Sequence, residues 1–232
     1  VQRTRIKICG ITCAQDALAA ANAGADAIGM VFYKPAPRCI SIETAREILE
    51  ALPPFVTPVG LFVDAGVEEI RETVDALGLR HVQLHGHEPP ETVAGLKDRI
   101  VLKALRVNEN LCAELFSWGK AIVEQQLYHL RGFVLETAGK GVGGTGVEND
   151  WEAIAQSLGS RGVEIGLPSI IVAGGLRPEN VGRVVCELRP WAVDVSSGVE
   201  GSPGRKSVEK MEAFVREVRG ADCLCEGNRP PP

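Results

Sequence analysis

The chain has 232 residues, enough for one or two domains, and 45% of them are hydrophobic, enough to build a full core. A formal net charge of −5 speaks against a general nucleic-acid binder, which needs a basic face. No apolar run is long enough to cross a bilayer, and Val1 to Arg5 lack the apolar stretch of a secretory signal, so the expected place of work is the cytoplasm.

In chain order, short β-branched runs alternate with amphipathic stretches. Arg5 to Cys9 reads as a strand, Ala14 to Ala23 as a helix ended by Gly24, and Ala27 to Phe32 as a strand. Ile42 to Leu52 reads as a helix stopped by Pro53 and Pro54. Pro58 to Val63 is a strand, and Val67 to Leu77 a helix before Gly78. The strand His81 to Leu84 precedes a helix from Pro90 to Asp98. Ile100 to Leu105 is a strand, Asn110 to Trp118 a helix, and residues 119–130 carry no clear signal. Gly132 to Leu135 is strand-like and Trp151 to Leu158 helical. Ile170 to Ala173 is a strand, and Pro178 to Leu188 a helix with Pro in its first turn. Trp191 to Val195 is the last strand and Val208 to Val218 the last helix.

Strands alternating with helices imply a parallel sheet, and eight such units in this length favour a closed single-domain (β/α)₈ barrel over residues 1–220. Residues 221–232, rich in Gly and Pro, are expected to form a disordered tail. The seven cysteines are scattered, without CxxC spacing, and read as free thiols.

In such barrels function sits at the C-terminal ends of the strands. Period two places Lys7 and Cys9 on one face of the first strand, pointing into the barrel, with Ile6 and Ile8 on the other. Lys7 is expected to favour the thiolate of Cys9. A small buried cysteine is the competing reading. Glu136 closes the apolar run Phe133 to Leu135, a setting expected to raise its pKa towards that of a neutral-pH proton donor. The Gly-dense loop Gly139 to Gly146 reads as a mobile cover or a tight connector, and not as a Walker loop.

Gly174 and Gly175 end the seventh strand, and Ser196, Ser197 and Gly198 end the eighth. Barrel enzymes often hold a phosphate between these two loops, on backbone N–H groups and Ser hydroxyls. The earlier half of the chain has no matching Gly-Gly strand end, which suggests a single phosphate on the ligand. Arg38, in Pro35-Ala36-Pro37-Arg38, matches a planar carboxylate, with an exposed loop Arg as the alternative. His81, His85 and His87 beside Glu88 have no established metal spacing. Gln83 and His85 read as polar contacts at the mouth of strand four.

Lys7-Ile8-Cys9-Gly10-Ile11-Thr12 resembles the opening motif of the phosphoribosylanthranilate isomerases. So do Gln83-Leu84-His85-Gly86, Gly143-Gly144-Thr145-Gly146, Ala173-Gly174-Gly175-Leu176, Pro178-Glu179-Asn180-Val181 and Asp194-Val195-Ser196-Ser197-Gly198-Val199-Glu200. Their order and spacing fit from near residue 5 to near residue 219.

The resemblance implies a single-domain (β/α)₈ barrel without cofactor, acting on a small phosphorylated substrate in tryptophan biosynthesis, and no metal is expected from the His spacing. The implied reaction is the Amadori rearrangement of N-(5′-phosphoribosyl)anthranilate into 1-(2-carboxyphenylamino)-1-deoxyribulose 5-phosphate. It implies Cys9 as general base, Arg38 on the anthranilate carboxylate, Asp194 beside the sugar, and Gly175, Ser196, Ser197 and Gly198 around the phosphate. Lys7, Gln83 and His85 would complete the substrate site. The family's general acid is usually an Asp at the end of strand six, where this chain has Glu136. After Gly-Gly-Thr-Gly the chain reads Val147-Glu148-Asn149-Asp150-Trp151 where the family tends to Lys-Thr-Phe-Asp-Trp, and Ser207 stands where an Asp is common. The alternative is a barrel that binds a phosphorylated ligand without catalysis, or that acts on a related ribosyl-amine or sugar phosphate. Neither nucleic acid nor membrane is an expected partner, and monomer and homodimer both stay open.

Overall fold

The computed structural model of the chain describes residues 3–137 and 168–226. Eight parallel strands form a closed barrel: β1 (Arg5–Ile8), β2 (Ala27–Val31), β3 (Thr57–Phe62), β4 (His81–Leu84), β5 (Ile100–Val107), β6 (Leu130–Thr137), β7 (Ser169–Val172) and β8 (Ala192–Val195). The helices described are α1 (Ala14–Ala23), α2 (Ile42–Ala51), α3 (Val67–Leu77), α4 (Pro90–Ala94), α5 (Leu111–Glu124), α6 (Pro178–Leu188) and α7 (Val208–Glu226). A small antiparallel pair, β9 (Glu200–Ser202) and β10 (Arg205–Lys206), follows β8. None of the described helices is long and apolar enough to cross a membrane.

Closure fixes where each side chain goes, because successive residues of a strand face opposite sides. Ile6, Ile8, Ile28, Met30, Phe62, Val82, Leu84, Phe133, Leu135, Val172, Val193 and Val195 point outward into the layer shared with the helices. The intervening residues point inward. Ala104, Val134, Ile171, Ala173 and Ala192, with Leu102, fill the middle of the barrel. Cys9, Val31 and Leu61 form a second inward group, with Tyr33, Ala36 and Val63 packed on it.

Several element ends differ from the sequence reading. α5 continues to Glu124, because Leu115, Trp118 and Ile122 keep one buried face running past Trp118. α4 stops at Ala94, and Gly95, in αR geometry, caps it. α7 runs to Glu226, past the expected start of the tail. Its end is tied down: Thr4 donates its N–H and its hydroxyl to Asp222, and Arg219 donates to Thr4 O at 2.7 Å. The expected helix Trp151 to Leu158, the Gly139–Gly146 loop and residues 227–232 lie outside the described residues.

One buried ion pair sits outside the barrel wall, under the turn after β4. Lys103 Nζ is 2.8 Å from Glu88 Oε2, with side chains 4% and 2% exposed. Lys103 also donates to Gly86 O, and Glu88 accepts the N–H groups of Asp64 and Gly86. Removing one partner of such a pair strands the other charge in a dry layer. Lys103→Met is therefore expected to lower the unfolding free energy by about 3–5 kcal/mol. The pair replacement Lys103→Met with Glu88→Gln should recover most of that loss in equilibrium urea denaturation.

Candidate active site

The inward-facing positions at the C-terminal ends of the strands converge on one cavity. Cys9, Arg38, Gln83, His85, Glu136 and Asp194 line it, together with Gly174, Gly175, Ser196, Ser197 and Gly198. Lys7 is not in the lining. It lies beneath, 4% exposed, with Nζ 2.7 Å from Asp194 Oδ2 across the seam where β1 pairs with β8. The other Asp194 oxygen, Oδ1, is buried and has no hydrogen-bond partner among the described residues.

The lining is segregated. Val31, Tyr33, Ala36, Pro37, Leu61 and Val63 make an apolar wall suited to a flat ring. The opposite side is built from the turns after β7 and β8. The amides of Gly175, Ser197 and Gly198 carry no backbone partner among the described residues, leaving donors for an anion. Asn180 in α6 braces this side: its amide donates to Gly175 O at 3.0 Å, and its oxygen accepts the N–H of Arg177. Gly198 lies so close to Leu176 O that a Cβ there would clash, so a side chain at this position would pry the two turns apart.

Cys9 is 7% exposed, at the end of β1. A Cβ on Gly29 of β2 would stand 2.5 Å from its Sγ, so the thiol occupies space that only a glycine leaves. Its chemistry differs from the sequence expectation. Burial pushes the thiol pKa up, and Asp194 adds to the rise. The charge of Lys7 and its hydrogen bond to the sulfur pull the other way and do not win. The resting form is the thiol, chiefly because burial disfavours the charged sulfur.

Glu136 also departs from expectation, in the opposite direction. Burial pushes its pKa up, but the hydrogen bond from His85 and the charges of His85, Arg106 and Lys7 outweigh burial and leave it lowered. His85 Nε2 lies 2.9 Å from Glu136 Oε2, and Gln83 Nε2 lies 2.9 Å from His85 Nδ1. The Nε2 side of His85 thus faces the carboxylate, and Gln83 holds the other side of the ring. The apolar run before Glu136 was a misleading guide, since those residues alternate and only Val134 shares its face.

Arg38 lies over Gly10 and is held by a residue to which the sequence reading gave no role. Its Nε and Nη2 donate to the two oxygens of Glu200 at 2.6 and 2.8 Å. Lys206, whose side chain is fully buried, donates to Glu200 Oε1 at 3.1 Å and to Ser196 O at 3.0 Å. Glu200 lies two residues beyond the Ser196-Ser197-Gly198 turn, but nothing in sequence reveals that it meets an arginine 162 residues away.

The family model described as N-(5′-phosphoribosyl)anthranilate (PRA) isomerase matches residues 6–217. The chain belongs to this isomerase family. A Pseudomonas aeruginosa relative, N-(5′-phosphoribosyl)anthranilate isomerase, is 48% identical over 93% of this chain and 95% of its own length. The crystal structure of phosphoribosyl anthranilate isomerase from Thermotoga maritima superposes with a TM-score of 0.82 at 37% identity, covering 94% of this chain and 99% of that one. A second isomerase structure holds reduced 1-(o-carboxyphenylamino)-1-deoxyribulose 5-phosphate. It matches at a TM-score of 0.75 and 36% identity, covering 94% of this chain and 99% of that one.

The family membership makes the His85–Glu136 contact worth isolating. Replacing His85 by Leu removes the donor that holds Glu136 ionised, so the Glu136 titration should move to higher pH in carboxyl ¹³C NMR. A depressed folded-state pKa stabilises the fold above the unfolded pKa, and that contribution is lost as pH falls through the folded value. The His85→Leu deficit from this source should therefore be present at neutral pH and vanish in acid.

Proposed function

We propose that the chain isomerises N-(5′-phosphoribosyl)anthranilate to 1-(2-carboxyphenylamino)-1-deoxyribulose 5-phosphate, the Amadori step of tryptophan biosynthesis. The observation that carries this reading is the cavity itself. A thiol, a carboxyl group and an arginine face one space, with a bare-amide turn on one side and an apolar wall on the other. It would act as a monomer or a homodimer in the cytoplasm.

In this reading the turns after β7 and β8 hold the phosphate, through Gly174, Gly175, Ser196, Ser197 and Gly198. Arg38 meets the anthranilate carboxylate while the ring rests on the apolar wall. Asp194 Oδ1, buried without a partner among the described residues, accepts a hydrogen bond from a sugar hydroxyl. The substrate is then fixed at both ends with its ribose carbons between Cys9 and Glu136.

Glu136 donates a proton to the ribose ring oxygen. The bond from that oxygen to C1′ breaks as the anilino nitrogen supplies its electron pair, giving an iminium. Cys9, as thiolate, removes the proton from C2′, and the C–H electrons form the C1′=C2′ bond while the iminium nitrogen recovers its pair. The enolamine then tautomerises to the ketone. Gln83 and His85 position the acid, and Lys7 stabilises the thiolate when it forms.

The resting protonation states are the reverse of those this sequence needs. The proton sits on Cys9 and the charge on Glu136. The reacting form carries the same number of protons, placed on the other partner. It is a minor species whose fraction scarcely changes with pH between the two pKa values. kcat/KM is therefore expected to be flat through the neutral range. It should fall in acid only below the ordinary carboxylate range, and in alkali only above the ordinary thiol range. A profile with a limb near pH 7 would contradict this assignment.

The activity is tested by the loss of anthranilate-type fluorescence when the protein meets freshly generated phosphoribosylanthranilate with EDTA present, with the product identified chemically. Cys9→Ala and Glu136→Ala are each expected to lower turnover by a factor on the order of 100 or more, while affinity for a stable product analogue survives. Near-normal turnover in either variant removes that residue from the mechanism.

A further inference from the structure

Arginine offers a carboxylate two bidentate edges: the side edge of Nε and one Nη, and the end edge of the two Nη atoms. In this chain the side edge of Arg38 is already taken, at 2.6 and 2.8 Å, by Glu200. The end edge, with Nη1 and the second hydrogen of Nη2, is what remains for a ligand in the cavity that Arg38 lines. Glu200 is itself fixed from behind by Lys206, which is anchored on Ser196 O.

We propose that Glu200, braced by Lys206, is a specificity-determining residue: it turns Arg38 so that its end edge faces the cavity, and so selects an aryl substrate that carries a ring carboxylate. The proposal rests on the reading of the site given above and adds the determinant of one substrate group.

The physical case is one of preorganisation. A free arginine side chain samples many rotamers, and ordering it on binding subtracts from affinity. Here a two-point bond orders it before the ligand arrives. Charge balance fits as well. Arg38 and Lys206 carry two positive charges against the single negative charge of Glu200, leaving one positive charge for one carboxylate. Replacing Glu200 alone mixes two effects. It frees Arg38 to wander, but it also removes a negative charge near the incoming carboxylate and strands Lys206. Replacing Glu200 and Lys206 together leaves the net charge unchanged and isolates the loss of orientation.

The test compares two stable ligands by calorimetry: reduced 1-(o-carboxyphenylamino)-1-deoxyribulose 5-phosphate and the same molecule without the ring carboxyl. The wild-type protein should favour the carboxylate by on the order of 100-fold, the worth of a bidentate charged contact. In the double variant Glu200→Gln, Lys206→Met that ratio should fall about tenfold, with the affinity for the carboxyl-free ligand held within about threefold. Glu200→Asp, which keeps the charge and a partner for Lys206 but withdraws the carboxylate, should lower the ratio in the same direction and serves if the double variant does not fold. An unchanged ratio overturns the proposal. So does an equal loss for both ligands, which would make the pair a support of the fold alone. A wild-type protein that binds neither ligand overturns the underlying reading of the site, and this one with it.

Discussion

The barrel closes on a buried charge pair. β1 and β8 are the first and last strands of the wall, and Lys7 and Asp194 stand opposite each other in their register. Both face inward, and both side chains are about 5% exposed. Such a pair contributes little net stability over an apolar alternative, yet breaking it leaves an unpaired charge in a dry interior. Its value lies in what it imposes on the site. It ties the strand bearing Cys9 to the strand bearing the Ser196 turn. It also acts on the thiol in both directions: the ammonium lowers the thiol pKa and the carboxylate raises it, while burial, the larger influence, keeps it raised.

The same logic of prior commitment runs round the cavity. Glu136 is met by His85, which is met by Gln83; Arg38 is met by Glu200, which is met by Lys206. Glu136 and Arg38 are each held by a second side chain, which is in turn held by a third. Long polar side chains are thereby fixed at the mouth without help from a ligand, which is the condition for electrostatic catalysis at low reorganisation cost. The arrangement also sets the resting protonation pattern, with a thiol on one side and a carboxylate on the other.

Period-two alternation in Arg5–Cys9 and in Phe133–Glu136 was enough to place Cys9 and Glu136 inside the barrel. Strand–helix alternation was enough to close it. Gly174-Gly175 and Ser196-Ser197-Gly198 marked the amide-lined side because glycine and serine at two successive strand ends carry their chemistry locally. What could not be read was any property that depends on a partner distant in sequence. Glu200 reaches Arg38, Lys103 reaches Glu88, and Asp222 reaches Thr4 only once the chain is folded. The directions of the two pKa shifts were misread for the same reason. Local sequence shows that Lys7 is near Cys9 and that Glu136 follows an apolar run. It does not show that the fold buries the thiol deeply enough to outweigh the lysine, or that His85 meets the glutamate.

Glu136 is where this chain parts from the aspartate usual at the end of strand six, and the structure supplies a physical reason for the longer side chain. The extra methylene extends the carboxyl by about 1 Å, over the end of β4, to hydrogen-bonding distance from His85 Nε2. From the same backbone position an aspartate would stop short of that contact unless the wall moved. The glutamate therefore exchanges a shorter, stiffer lever for a fixed hydrogen bond. The bond restrains the carboxyl, which offsets the freedom that the methylene adds. It also holds the group ionised, which opposes its protonation. The two consequences have one cause, so a change that frees the carboxyl to protonate also frees it to move. Proton availability and position cannot be tuned separately at this residue, and the Gln83–His85 pair sets the balance between them.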